Sequence, residues 1–157
     1  MKLARMLAIP LAAAICPAAW GHPHREAARV ELPFETTKEQ SLMIVRVSLG
    51  GKTGDFLFDT GNEITLVDRE FAGFPSEKRG KGELGEIAVE WVKLGPLCLG
   101  KYCFEKRTVG VAELGIFPRL GRRIDGIVGQ DLLREFDEVT INYKKSTVTL
   151  IIEGDAK

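Results

Sequence analysis

The first half of the chain carries the alternating apolar and polar pattern of short β-strands. Residues 30–34 alternate with a period of two, which indicates a strand with one buried face. Residues 41–49 have one wholly apolar face, and the glycine-rich residues 50–54 supply a hairpin turn into the apolar residues 56–58. The pattern predicts an antiparallel pair of strands, of which the second ends directly before Asp59.

The rest of the chain predicts further strands and little helix. Strand patterns cover residues 64–67, 87–94, 97–106, 139–143 and 147–151. One short helix is predicted after Asp68, its N-cap, and another over residues 130–136. In the second helix, Leu132, Leu133 and Phe136 are spaced to face a core. Because strands do not alternate with helices, the pattern predicts an all-β fold with one or two short helices.

An ionisable residue, Asp59, follows the apolar residues 56–58 and precedes Thr60 and Gly61. A carboxylate is costly to bury, so one that follows such a run is either satisfied by a network or kept for chemistry. We interpret Asp59 as a candidate catalytic residue. The alternative is a turn that only ends a strand, since aspartate and glycine are favoured in turns.

A second block, residues 124–133, runs from an apolar segment through a glycine into the predicted helix. Together with residues 55–62, this block resembles the retropepsin-like aspartic proteases, the single-lobe relatives of pepsin. The resemblance extends from about residue 40 to residue 152. It implies an all-β fold, namely a small closed retropepsin-like barrel, the acid-protease lobe, with one or two short helices.

The resemblance also implies an activity, the hydrolysis of peptide bonds by an aspartic endopeptidase. This reaction needs one carboxyl as base and another as acid, whereas the chain contains a single Asp-Thr-Gly. The implied enzyme is therefore a homodimer in which two Asp59 carboxyls activate water, with a peptide or protein substrate and no cofactor. By the same resemblance, Thr60 bonds across the dimer axis and Gly61 lets the substrate lie close to the backbone.

Further substrate-binding residues follow from the resemblance. Ile127 and Val128 wall the subsites, although both also fit an ordinary core strand. Asp125 is a candidate rim or network residue, with the alternative that it is the second catalytic acid within one chain. Gly82 belongs to the glycine-rich residues 75–85, which correspond to a flap over the substrate or, on composition alone, to a solvated loop.

Asn62 departs from the family pattern, which usually has alanine or serine directly after Asp-Thr-Gly. Its amide is a candidate substrate-binding group that either donates a hydrogen bond to the catalytic pair or crowds the first subsite. This departure keeps a second hypothesis open, a non-catalytic exported module that uses the same lobe for peptide binding or assembly.

The N-terminal segment predicts export. Residues 1–21 combine Lys2 and Arg5 with an apolar stretch and small residues at a cleavage site, which is the pattern of a secretory signal peptide. Residues 22–28 are polar and predict a flexible leader, and residues 29–157 form the retropepsin-like domain. The predicted location is therefore the bacterial periplasm, with no stable membrane span after signal cleavage.

Charge and cysteine content narrow the choice of partners. The chain has 22 basic and 22 acidic residues, and this balance argues against nucleic acid and an anionic membrane surface as partners.

If residues 100–101 form a two-residue turn, Cys98 faces Cys103, and an oxidising compartment predicts a disulfide between them. No metal site is predicted, because the two histidines, His22 and His24, both lie in the leader.

We expect protein recovered from an exporting host to begin near His22, because signal peptidase removes residues 1–21. Intact-mass measurement of the exported protein checks this cleavage. An exported chain that retains Met1 would contradict the signal-peptide prediction.

Overall fold

A computed structural model describes residues 27–37, 42–74, 88–114, 116–117 and 122–154. The predicted signal peptide, most of the predicted leader and the predicted flap with Gly82 lie outside the described residues. Within those ranges, no helix is long and apolar enough to cross a membrane.

Strands dominate the described part of the chain, as the sequence predicts. The elements are β1 Ala28–Thr36, β2 Met43–Leu49, β3 Lys52–Phe58, β4 Leu66–Asp68, β5 Glu90–Leu94, β6 Leu97–Leu99, β7 Tyr102–Phe104, β8 Arg107–Ala112, β9 Ile116–Phe117, β10 Arg122–Arg123, β11 Gly126–Val128, α1 Gln130–Leu133, β12 Glu138–Asn142 and β13 Thr147–Ile152. β1 begins one residue inside the predicted leader. The prediction of an all-β fold is confirmed.

The large sheet is open, so the predicted closed barrel is wrong. Its strands run in the order β12-β13-β1-β2-β3-β11-β4-β8-β5, and the end strands β12 and β5 are not paired with each other in the described part of the chain. A barrel requires its first and last strands to pair, and within the described ranges these end strands do not. Within the sheet, β2 changes partner along its length, because Met43–Val45 pairs with β1 whereas Val47–Leu49 pairs with β6.

Buried apolar side chains from the strands and from α1 form the main core. Alternate residues of β1, namely Val30, Leu32 and Phe34, face it, together with Leu132 and Leu133 of the helix. Buried and exposed side chains therefore alternate along β1, as the sequence predicts.

The two predicted helices differ from the observed structure: α1 is shorter than predicted, and the segment after Asp68 forms turns. After α1, Glu135 N donates to Leu132 O at 3.2 Å and Phe136 N donates to Leu133 O at 3.2 Å, which are tight three-residue turns. Phe136 still reaches the core. The predicted helix after Asp68 is a set of turns, in which Asp68 Oδ1 accepts from Phe71 N at 3.2 Å. Gly73 ends these turns with φ of 86°.

Strand β11 lies between β3 and β4 and connects the two blocks of the sequence. It runs parallel to β3 and antiparallel to β4, with Ile127 opposite both Leu57 and Leu66. A side chain at Gly126 would come within 2.1 Å of the Phe56 ring, so only glycine allows this close insertion. The loop that connects β3 to β4, residues 59–65, therefore passes over the end of β11.

Two hairpin turns follow the predicted glycine chemistry. Gly50 and Gly51 have φ of 56° and 86°, the left-handed pair that a type I′ turn needs between β2 and β3. In the β6–β7 hairpin, Gly100 has φ of 58° and Cys98 lies opposite Cys103. These cysteines form a disulfide across Cα atoms 4.0 Å apart, so the predicted pairing is confirmed.

An ion-pair cluster holds the first half of β3. The Asp55 carboxylate accepts hydrogen bonds from Arg46 and from Arg122, and Arg122 also binds Glu35 at 3.1 Å. Burial raises the pKa of Asp55, but the hydrogen bonds and charges of the two arginines outweigh it and hold that pKa below its ordinary value of 3.8. Asp55 therefore stays ionised in acid that protonates ordinary carboxyls.

We expect the native protein to contain no free thiol at Cys98 or Cys103. Because the chain has 3 cysteines, thiol titration of the Cys16→Ser chain counts this pair alone. Replacement of both cysteines by alanine is expected to lower the free energy of unfolding by at most about 2 kcal/mol, because the closed loop is short. Two titratable thiols in the native Cys16→Ser protein would contradict the pairing.

We expect Asp55→Asn to lower the free energy of unfolding by about 1–2 kcal/mol near neutral pH, because it removes two charge-assisted hydrogen bonds. A depressed pKa in the folded state stabilises the protein above the ordinary carboxyl pKa, and this stabilisation is lost as the pH falls through the depressed value. The difference between variant and wild type should therefore shrink below about pH 4. Denaturant unfolding at several pH values measures it.

Glu31→Gln is the matched control for this pH series, because its ion pair with Arg29 is exposed on both sides. It should cost less than about 0.5 kcal/mol at any pH. An Asp55→Asn effect that is constant down to strong acid would contradict the assigned ion pairs.

Candidate active site

Asp59 lies where β3 leaves the core, with its backbone fixed and its side chain exposed. Its N–H donates to Val128 O at 3.1 Å, which continues the pairing of β3 with β11. One carboxylate oxygen, Oδ1, accepts from Gly61 N at 2.8 Å. The loop thus orients a carboxylate towards solvent at the end of a buried strand.

Thr60 and Gly61 form the turn that follows Asp59, and both are exposed. Asn62 N donates to Asp59 O at 3.3 Å and closes the turn. A side chain at Gly61 would come within 3.2 Å of Asp59 Oδ1, so glycine at this position leaves the oxygen uncrowded. The structure therefore brings these three predicted catalytic residues together in one tight turn.

Helix α1 supports this turn from below. Gln130 Nε2 donates to Thr60 O at 2.6 Å, and Gln130 N donates to Asn62 O at 2.8 Å. A side chain at Gly129 would come within 2.4 Å of Ile64 O, so glycine allows the start of the helix to pack directly under the loop. The sequence analysis missed Gln130, although a polar residue directly after an apolar strand and a glycine was a usable signal.

A buried hydroxyl connects the far end of the loop to the same helix. Thr65, with 0% of its surface exposed, donates to Asp131 Oδ1 at 2.6 Å and accepts from Gly129 N at 3.1 Å. The sequence analysis also missed Thr65 and Asp131. A lone hydroxyl inside the apolar residues 64–67 was the only hint, because the contact spans 66 positions of sequence.

Asn62 is half-buried, and its amide takes part in its own loop. Asn62 Nδ2 donates to Ile64 O at 2.9 Å, a local bond of the kind that asparagine often makes in turns. This hydrogen bond stabilises the loop and leads away from Asp59. Asparagine at this position is therefore compatible with an intact Asp-Thr-Gly turn.

The two predicted subsite residues of β11 point to opposite faces of the sheet. Val128 is 0% exposed and lies in the main core with Phe56 and Phe58. Ile127 is half-buried on the other face, beside Leu57 and Leu66. Of the pair, Ile127 lies on a face that solvent reaches, and Val128 is core.

Asp125 lies at the other end of the β3–β11 pair from Asp59. Asp125 Oδ2 accepts from Asp55 N at 2.9 Å, and Asp125 N donates to Asp55 O at 2.8 Å. Asp55 precedes Asp59 by four positions of an extended strand, so Asp125 is about 13 Å away from Asp59 along the strands. The structure thus gives Asp125 a network role and does not bring it to Asp59. Gly82 lies outside the described residues.

The described ranges contain no group of three or more histidine, cysteine, aspartate or glutamate side chains placed to hold a metal ion. No protein-family model matches the sequence, and no curated protein matches it either.

Solved structures resemble this chain in fold. One is a retropepsin-like aspartic protease from Rickettsia conorii, with a TM-score of 0.55 and 19% identity over 84% of this chain and 96% of that chain. Another is the retroviral protease-like domain of Ddi1 from Leishmania major, with a TM-score of 0.50 and 15% identity over 72% of this chain and 90% of that chain. At such identities the likeness is one of fold, and the chain therefore has the retropepsin-like fold that its two sequence blocks predicted.

Proposed function

We propose that this protein is an aspartic endopeptidase in which two Asp59 carboxyls of a homodimer activate water. The observation that carries the proposal is the Asp59 turn, an exposed carboxylate on a backbone that β11 and α1 hold in place. Three hydrogen bonds with Val128 and Gln130, both distant in sequence, hold the backbone of this turn. A turn that only ended a strand would not need them. The retropepsin-like fold supports the same activity.

The proposed reaction uses the two carboxyls in opposite protonation states. The ionised carboxylate takes a proton from water, and the water oxygen attacks the carbonyl carbon of the peptide bond. The protonated carboxyl then gives its proton to the amide nitrogen as the carbon–nitrogen bond breaks. Two carboxyls close together share one proton, because both cannot easily be charged, so the pair is ready for the next cycle.

A second protomer supplies the second carboxyl in this proposal. Asp125, the alternative within one chain, is bound to the backbone of Asp55 at the far end of the strand pair. Asp59, Thr60 and Gly61 are all exposed, so a two-fold axis beside the turn can bring two copies together. In that arrangement the Thr60 hydroxyl, which is exposed, is available for a bond across the axis.

The proposed enzyme acts on peptides or proteins after export and needs no cofactor. The second hypothesis, a non-catalytic module, drew part of its support from Asn62. Since the Asn62 amide bonds within its own loop, Asn62 does not favour that hypothesis over the enzyme.

We expect Asp59→Asn to lower proteolytic activity by several orders of magnitude while folding and dimerisation persist, because the amide fills the same space. The activity to be measured is pepstatin-sensitive cleavage of a denatured protein mixture in acid. When wild-type and Asp59→Asn protomers are mixed in equal amounts and allowed to exchange, random pairing leaves about one quarter of the activity.

Asp125→Asn serves as the comparison in the same assay. It should keep most of the activity of each folded dimer, because Asp125 lies far from the proposed reacting atoms. Retention of about one half of the activity in the mixing experiment, together with inactive Asp125→Asn protein, would overturn the shared site in favour of an intrachain pair.

A further inference from the structure

A row of residues crosses the sheet from the strand of Asp59 to the edge. Leu57 of β3 lies opposite Ile127 of β11, which lies opposite Leu66 of β4. Leu66 is paired with Gly110 of β8, and Gly110 with Trp91 of β5. Residues that pair across strands share one face, so this row lies on the face opposite the main core.

The row ends in a large apolar side chain that is exposed in the described part of the chain. Trp91 is 57% exposed, whereas Leu57 and Leu66 are buried and Ile127 is half-buried. Its cross-strand partner Gly110 has no side chain to shield the indole ring. An exposed tryptophan that continues an apolar face is a typical feature of a binding surface.

The geometry around Gly110 shows that the row is continuous. A side chain added there would meet Val89 at 2.6 Å and Leu66 at 2.7 Å, because these two residues already cover the glycine. Apolar side chains therefore follow one another on this face from Ile127 through Leu66 and Val89 to the strand of Trp91. Because Leu57 precedes Asp59 by two residues on the same strand, one end of this row lies next to the candidate active site.

We propose that Trp91 forms an outlying subsite that binds an aromatic or large apolar side chain of the substrate; this rests on the proposed function. Four strand spacings separate β3, the strand that ends at Asp59, from β5, a distance of about 19 Å. An extended peptide covers that distance in about six residues. The side chain that contacts Trp91 therefore belongs to a residue about six positions from the bond that is cleaved.

The first experiment measures selectivity on two peptides that differ only about six positions from the cleaved bond, with phenylalanine or alanine there. The wild type should show a kcat/KM ratio of about 10 in favour of phenylalanine, mostly through KM, because an aromatic subsite gives uniform binding. Trp91→Ala should reduce that ratio to about 1. An unchanged ratio in Trp91→Ala protein that cleaves both peptides would overturn the subsite.

Tyr143→Ala is the matched control, since Tyr143 is the other large apolar residue that is exposed in the described ranges, at 67%. It lies in the β12–β13 turn at the opposite end of the sheet, where its ring contacts Phe34. The variant should keep the wild-type ratio. A loss of selectivity in both variants would mean that any exposed aromatic residue has this effect, and it would overturn the assignment to Trp91.

A binding measurement separates failure of the subsite from failure of the proposed function. The chain has 2 tryptophans, so Trp20→Phe leaves Trp91 as the single tryptophan. In the Trp20→Phe, Asp59→Asn chain, the phenylalanine peptide should change Trp91 fluorescence and bind about 10-fold more tightly than the alanine peptide. This result would support the subsite even if the wild type cleaved neither peptide, in which case the proposed function alone would fail.

Two other outcomes would overturn the subsite. One is equal binding of the two peptides with no change in fluorescence. The other is a change of molecular mass in solution caused by Trp91→Ala, because the face would then pair two copies of the chain at the β5 edge.

Discussion

The insertion of β11 between β3 and β4 is the constraint on which the rest of the structure depends. It requires Gly126, because any side chain there would enter the Phe56 ring. Once β11 is in place, the β3–β4 connection has to turn above it, and the chain after β11 has to pass directly under that turn. The position of the Asp59 loop is thus a consequence of strand order more than of the loop sequence.

The loop combines two properties that usually exclude each other, an exposed carboxylate and a rigid backbone. Short polar turns at strand ends are normally mobile because few contacts hold them. Here Gln130 binds the carbonyl of Thr60, and the Thr65 hydroxyl joins the loop to Asp131. Gln130 and Asp131, the first two residues of α1, therefore hold the turn in place. The Asp59 side chain is exposed to solvent while its backbone is fixed.

The sequence predicted the local features of this lobe and missed the distant ones. Alternation along β1, the Gly50–Gly51 turn and the Cys98–Cys103 hairpin depend on neighbouring residues, and each was predictable. The open sheet was not, because it depends on whether β5 and β12, strands far apart in sequence, pair with each other. Thr65 and Asp131 were missed for the same reason, and no local pattern distinguishes the exposed Trp91 from any other residue of an edge strand.

The paired strands β3 and β11 have chemically different ends, one anchored by Asp55 and its arginines and one open at Asp59. About 13 Å separates them, which exceeds the Debye length of about 10 Å at 0.1 M salt. Salt therefore weakens the interaction between charges at the two ends. Acid tolerance of the fold, which depends on Asp55 and its arginines, and the chemistry of the exposed end can consequently be adjusted by separate substitutions.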